Sequence, residues 1–132
     1  MAKFIADTSA WIDAFCGTLK DSSKTFFETA VQERDVVLTT VIRVELLVGT
    51  PDRKQFDWLK KHLEPFECLS LRAEDNVKLE EFAWELGMKG LRGKFTDVSI
   101  AYLAHSSGLP ILSLDGYFHK LAKKGIVEMI EG

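Results

Sequence analysis

The sequence predicts an α/β protein with three layers, in which helices cover both faces of a mostly parallel central sheet of about five strands. Two observations carry that expectation. Apolar runs of strand length alternate along the chain with longer amphipathic stretches. The runs are also almost continuously apolar instead of alternating apolar with polar, the pattern of strands buried on both faces.

The first run spans 3–6 (KFIA) and leads into an amphipathic stretch over 9–16. A second stretch, 22–34, precedes the run 36–39 (VVLT). Two helical patterns follow at 41–49 and 51–62, with Thr40 placed to cap the first, and Gly49 and Pro51 separating them. The run 66–71 (FECLSL) gives way to a stretch over 73–89. Thr96 is placed to cap a helix over 97–107 that Asp97 opens. The run 110–114 (PILSL), a stretch over 116–124 and a last run over 126–130 (IVEMI) complete the chain. No repeat, low-complexity tract or linker divides it, so 1–132 reads as a single domain.

The bulk composition sets limits. A chain of 132 residues buries roughly two thirds of the surface that it exposes when unfolded. With 46% hydrophobic and 28% charged residues it has the balance of a soluble globular protein, and no apolar run approaches the ~18 residues of a membrane span. The apolar stretch at the N-terminus is too short for a signal peptide. Two cysteines, Cys16 and Cys68, show no metal-ligand spacing and read as reduced core thiols of a cytoplasmic protein. The net charge of -3 argues against nucleic-acid binding unless the acid is gathered in one pocket and the basic residues are grouped elsewhere.

Four acids stand in such settings. Asp7 closes the run Phe4-Ile5-Ala6 and Asp115 closes Ile111-Leu112-Ser113-Leu114, so both sit at the C-terminal ends of predicted strands, where open α/β sheets keep their chemistry. Glu45 interrupts an apolar helical pattern and Asp97 opens another. Neighbouring parallel strands end on one edge, so the four carboxylates can converge there. Buried charge is costly unless paired or coordinated, and no matching set of basic residues accompanies these four. The arrangement points to a divalent cation with oxygen ligands, Mg2+ or Mn2+ sooner than zinc. Each acid also has a plainer reading: Asp7 as a helix cap, Asp97 as a first-turn acid, Glu45 paired with Arg43 or Arg92, and Asp115-Gly116 as a turn.

Four segments, Ile5-Ala6-Asp7-Thr8-Ser9-Ala10-Trp11-Ile12, Val44-Glu45-Leu46-Leu47-Val48-Gly49, Phe95-Thr96-Asp97-Val98-Ser99-Ile100-Ala101 and Leu112-Ser113-Leu114-Asp115-Gly116-Tyr117-Phe118, together resemble the PIN-domain nucleases, notably the VapC toxins of toxin-antitoxin pairs. The likeness covers essentially the whole chain. It implies a PIN-like fold and an acidic quartet at Asp7, Glu45, Asp97 and Asp115, with supporting hydroxyls from Ser113 and from Thr8 or Ser9. It further implies a metal-dependent endoribonuclease: Asp7, Asp97 and Asp115 hold Mg2+ or Mn2+, directly or, for Asp115, through water, and Glu45 holds a water or acts as base. The chain departs from the family pattern at Ser113, where threonine is frequent, and at Tyr117, where many relatives carry a further acid.

The resemblance also implies an RNA substrate, a cognate antitoxin and a homodimer. Lys89, Arg92 and Lys94 flank Asp97 and are candidates for contacts with the RNA backbone, although solvated helix ends often look the same. Lys120, Lys123 and Lys124 similarly flank Asp115. The aromatic residues Trp11, Phe15, Phe26, Phe27, Trp58, Phe82 and Trp84 suit a core or a protein interface, and the apolar helices around 9–16 and 41–62 exceed what one core needs. An aspartyl phosphatase would want a second Asp where Ser9 stands, and a receiver domain would want an acid near Leu69-Ser70-Leu71. A housekeeping RNA-processing nuclease and a non-catalytic interaction module remain as alternatives to the toxin.

Overall fold

Three strands of this protein are short and wholly enclosed, and they carry the elements that lie at their ends. The structure is a computed structural model that describes residues 2–130. Strands β1 (Phe4–Ala6), β2 (Val36–Thr39), β3 (Cys68–Leu69) and β4 (Ile111–Leu112) form one parallel sheet in the order β3-β2-β1-β4. Every residue of β1, β2 and β4 is buried. Because successive side chains of a strand point to opposite faces, that burial means both faces are covered.

The expected fifth strand reduces to one parallel bridge between Ile111 and Met129. Ile111 N–H donates to the Glu128 carbonyl and Ile130 N–H to the Ile111 carbonyl, both at 2.8 Å, but β4 is only two residues long and gives the last run nothing further to pair with. The run 66–71 likewise shrinks to β3, at the sheet edge.

Seven α-helices occur among the described residues: α1 (Thr8–Cys16), α2 (Asp21–Gln32), α3 (Thr40–Val48), α4 (Arg53–Leu63), α5 (Asn76–Met88), α6 (Phe95–Ser107) and α7 (Gly116–Lys123). All the predicted helical stretches are present, with shifted ends. The cap of α3 is Thr39, not Thr40: strand β2 runs into the helix without a loop residue, and the Thr39 hydroxyl accepts the Ile42 N–H at 3.2 Å. Helix α6 starts at Phe95, before the expected cap Thr96, because Lys94 occupies the cap position without a side-chain bond, leaving Thr96 and Asp97 inside the first turn. From Val98 to Ala104 every residue of α6 is buried, so this helix has no solvent face over its middle turns. No helix among the described residues is long and apolar enough to cross a membrane.

The core joins the strand residues to Trp11, Phe27, Ile42, Leu63, Ile100, Phe118 and Leu121. Trp11 meets Phe27 edge-on at 5.0 Å and Phe66 at 5.8 Å. Both cysteines are exposed rather than core thiols: Cys16 ends α1, and Cys68 lies in the edge strand, where one flank has no neighbour. Phe118 is fully enclosed while Val48 is 77% exposed. Phe118→Ala is expected to lower unfolding free energy by about 3–5 kcal/mol in urea titration, and Val48→Ala to change it by no more than about 0.5 kcal/mol.

Candidate functional site

The pairing of β1 with β4 brings Asp7 and Asp115 to one edge of the sheet. Ile5 stands opposite Ile111 and Ala6 opposite Leu112, and the Asp7 N–H continues the ladder to the Leu112 carbonyl at 3.1 Å. Asp7 is only 4% exposed. Its Oδ1 accepts the Ser9 hydroxyl at 2.6 Å and the Ala10 N–H at 3.1 Å, and its Oδ2 accepts the Ser113 hydroxyl at 2.5 Å. Each serine oxygen accepts in turn: Ser9 from the Leu114 N–H at 3.1 Å, Ser113 from the Asp115 N–H at 2.9 Å. A closed set of hydrogen bonds therefore ties the end of β1 to the turn after β4.

The other acids arrive from helices. Asp115 caps α7, its Oδ1 accepting the Tyr117 N–H at 2.9 Å. Asp97 lies in the first turn of α6 and is half-buried. Glu45 extends from α3, where its Oε1 accepts the Thr8 hydroxyl at 2.7 Å. Glu45 is exposed, not walled in by hydrocarbon as its sequence neighbours imply, since Val44 and Val48 beside it are exposed as well. All four line one cavity of about 220 Å³, together with Thr8, Ser9, Lys94 and Thr96. Ser113 stands behind Asp7, outside the lining. Of the three candidate basic residues only Lys94 reaches the cavity; Lys89 and Arg92 are exposed in the α5–α6 connection.

The capping and first-turn readings of Asp7, Asp115 and Asp97 hold alongside this convergence. Three helix N-termini thus face negative groups, which the helix dipole favours. Pairing with Arg43 or Arg92 does not hold: among the described residues none of the four acids forms a salt bridge. Burial pushes the Asp7 carboxyl above its ordinary range, against the opposing pull of the Ser113 and Ser9 hydroxyls and the Ala10 N–H, with the Asp115 charge adding to the rise. Asp97 is raised by burial and then by the charges of Asp115, Glu45 and Asp7, with Lys94 opposing. Burial and the Asp97 charge also raise the Tyr117 phenol, which keeps its proton and remains a donor.

A hard cation suits this donor set: carboxylate and hydroxyl oxygens, negative charge in excess, and neither histidine nor cysteine in the lining. Among the described residues no three carboxylates form a ready coordination cluster, so the acids border the cavity without closing a cage. Mg2+ typically keeps several of its waters and needs few protein ligands.

Sequence reasoning missed two features of the surroundings. Phe95, the first residue of α6, is 67% exposed next to Lys94, and Gly93 is in close contact with Tyr117. An aromatic residue just ahead of Thr96-Asp97 was the available signal for the first; nothing local marks the second, whose partner is distant in sequence.

The family model of the PIN domain matches residues 4–124, and the chain belongs to that family. Among solved structures, it is similar to a chain of VapBC2 from Rickettsia felis bound to a fragment of promoter DNA, with TM-score 0.74 and 18% identity over 96% of each chain. It is also similar to a chain of FitAcB from Neisseria gonorrhoeae, with TM-score 0.75 and 19% identity over 97% of this chain and 96% of the other. VapBC-5 from Mycobacterium tuberculosis, a member of the VapBC family of toxin-antitoxin systems, matches over 100% of both chains with TM-score 0.68 and 22% identity. At these identities the likeness is one of fold. No curated protein sequence matches the chain.

Raised carboxylate pKa values in the folded state mean that the folded metal-free protein holds protons more tightly than the unfolded chain. The stability linked to Asp7 and Asp97 is then fully present below the ordinary carboxylate pKa and is lost as pH rises through their raised values. Asp97→Asn is accordingly expected to melt above wild type in chelator at pH 7, a gap that narrows as pH falls through the raised Asp97 value and closes below the ordinary carboxylate pKa. Differential scanning fluorimetry across pH checks this.

Proposed function

We propose that this protein is a metal-dependent endoribonuclease and the toxin of a toxin-antitoxin pair. The observation that carries the reading is the convergence of Asp7, Glu45, Asp97 and Asp115 on one cavity without a salt-bridge partner. Asp7, Asp97 and Asp115 hold Mg2+ or Mn2+, Glu45 takes a proton from the attacking water or orients it, and Ser9 and Ser113 fix the Asp7 carboxylate. When bound, the ion supplies a lowered pKa for water and charge neutralisation at the scissile phosphate. Lys94 meets a phosphate at the cavity rim. Exposed Phe95 beside it suits stacking on an unpaired base, as recognition of single-stranded RNA requires.

An apolar groove of about 660 Å³ between α1, α3 and α4 supports the partner reading. Ile12, Phe15, Trp58 and Leu59 line it, and Glu45 lines both the groove and the acid cavity. Trp11, in contrast, belongs to the core. A helix of the antitoxin packs its apolar face in this groove, and the segment beyond it crosses Glu45 to present an Arg or Lys to the acids. Exposed Val77, Trp84 and Met88, spaced along one side of α5, offer a separate face to a second copy.

Asp97→Asn is expected to remain folded and to lose RNA cleavage by more than about a hundredfold, beyond what the loss of an outer-sphere partner produces, with Mn2+ no longer raising the melting temperature as it does for wild type. Metal-dependent cleavage retained by the folded variant would remove these acids from the reaction. Co-expression with the neighbouring gene should yield a complex that Phe15→Asp disrupts. A protein that is harmless when expressed alone, has no neighbour-encoded partner and acts on one defined precursor RNA would instead be a processing enzyme.

A further inference from the structure

The connection between α5 and α6 carries Lys94 and leads directly into Asp97, so its placement decides where two of the cavity's charged groups stand. Gly93 in that connection is not in the left-handed region. Its need for glycine is one of space. A Cβ there would lie 2.4 Å from Cζ of Tyr117, 2.6 Å from its Oη and 2.9 Å from its Cε1. The Tyr117 ring therefore rests against the main chain at Gly93, and its hydroxyl donates to the Leu91 carbonyl at 2.8 Å.

Tyr117 is itself firmly placed. It lies in the first turn of α7, where its N–H binds the Asp115 carboxylate, and the next residue, Phe118, is fully buried. One side chain thus spans from the Asp115 end of the cavity to the backbone that sets the Lys94 and Asp97 end. We propose that Tyr117 is a positioning residue of the acid site, holding Lys94 and Asp97 in place relative to Asp7 and Asp115 through its grip on Leu91 and Gly93.

This assignment rests on the nuclease reading above. Tyr117→Phe keeps the ring against Gly93 and removes the hydroxyl bond, whereas Gly93→Ala expels the ring. Three measurements on the purified full chain decide the matter: amide hydrogen exchange over 91–97, the Mn2+ dissociation constant by calorimetry on metal-stripped protein, and kcat and KM for RNA cleavage. Tyr117→Phe should melt close to wild type, exchange faster over 91–97, and bind Mn2+ about tenfold more weakly, the range for loss of an outer-sphere support, with kcat falling by a similar factor. Gly93→Ala should shift the same readouts further; where it fails to fold, Tyr117→Phe alone decides. Unchanged exchange over 91–97 in Tyr117→Phe overturns the proposal, as do an unchanged Mn2+ affinity and kcat. A wild type that neither binds Mn2+ nor cleaves RNA overturns the nuclease reading and the positioning role with it. A wild type that does both, beside an equally competent Tyr117→Phe, overturns the positioning role alone.

Discussion

Everything at this site depends on the parallel pairing of β1 with β4. The register that sets Ala6 against Leu112 places Asp7 beside Ser113, and from that adjacency follow the two serine bonds to the Asp7 carboxylate and the amide bonds that return from Leu114 and Asp115. A slip of one residue would turn Asp7 into a face packed with apolar side chains. The full burial of both strands makes such a slip costly, because each is surrounded by hydrocarbon that has only one matching arrangement.

The same geometry creates an electrostatic difficulty. A carboxylate as enclosed as Asp7 is costly without hydrogen bonds, and its two serines and one backbone amide answer that need. Asp97 has a different environment, since burial and then three neighbouring acids raise its pKa, and only Lys94 opposes them. Helix N-termini at α1, α6 and α7 soften the repulsion but do not remove it. A divalent cation at the cavity would relieve this repulsion, which is the physical content of the proposed nuclease role.

Much of this was legible in the sequence because the signals were local. An apolar run closed by Asp marks a strand end, and four of the five predicted strands and all the helical stretches are present. The positions of Asp7 and Asp115 followed from the rule that parallel strands end on one edge. What the sequence concealed depends on contacts between distant segments. Glu45 looked enclosed because hydrophobic neighbours in sequence do not reveal which side of α3 faces outwards. Cys16 and Cys68 looked like core residues for the same reason, and the last run failed as a strand because β4 is too short to pair with it. Thr39 rather than Thr40 caps α3 because no loop residue intervenes, a detail of chain direction that periodicity does not resolve. The contact of Tyr117 with Gly93 joins residues of two separate helix approaches, and only the folded chain displays it.

The central proposal is that a divalent cation binds in the cavity that the four acids border. Anomalous diffraction at the manganese edge from crystals grown with Mn2+ tests it most directly. The account predicts a peak within the cavity, in ligand contact with carboxylate oxygens of Asp7 and Asp97. An empty cavity at saturating Mn2+, or a peak confined to other parts of the surface, would contradict it.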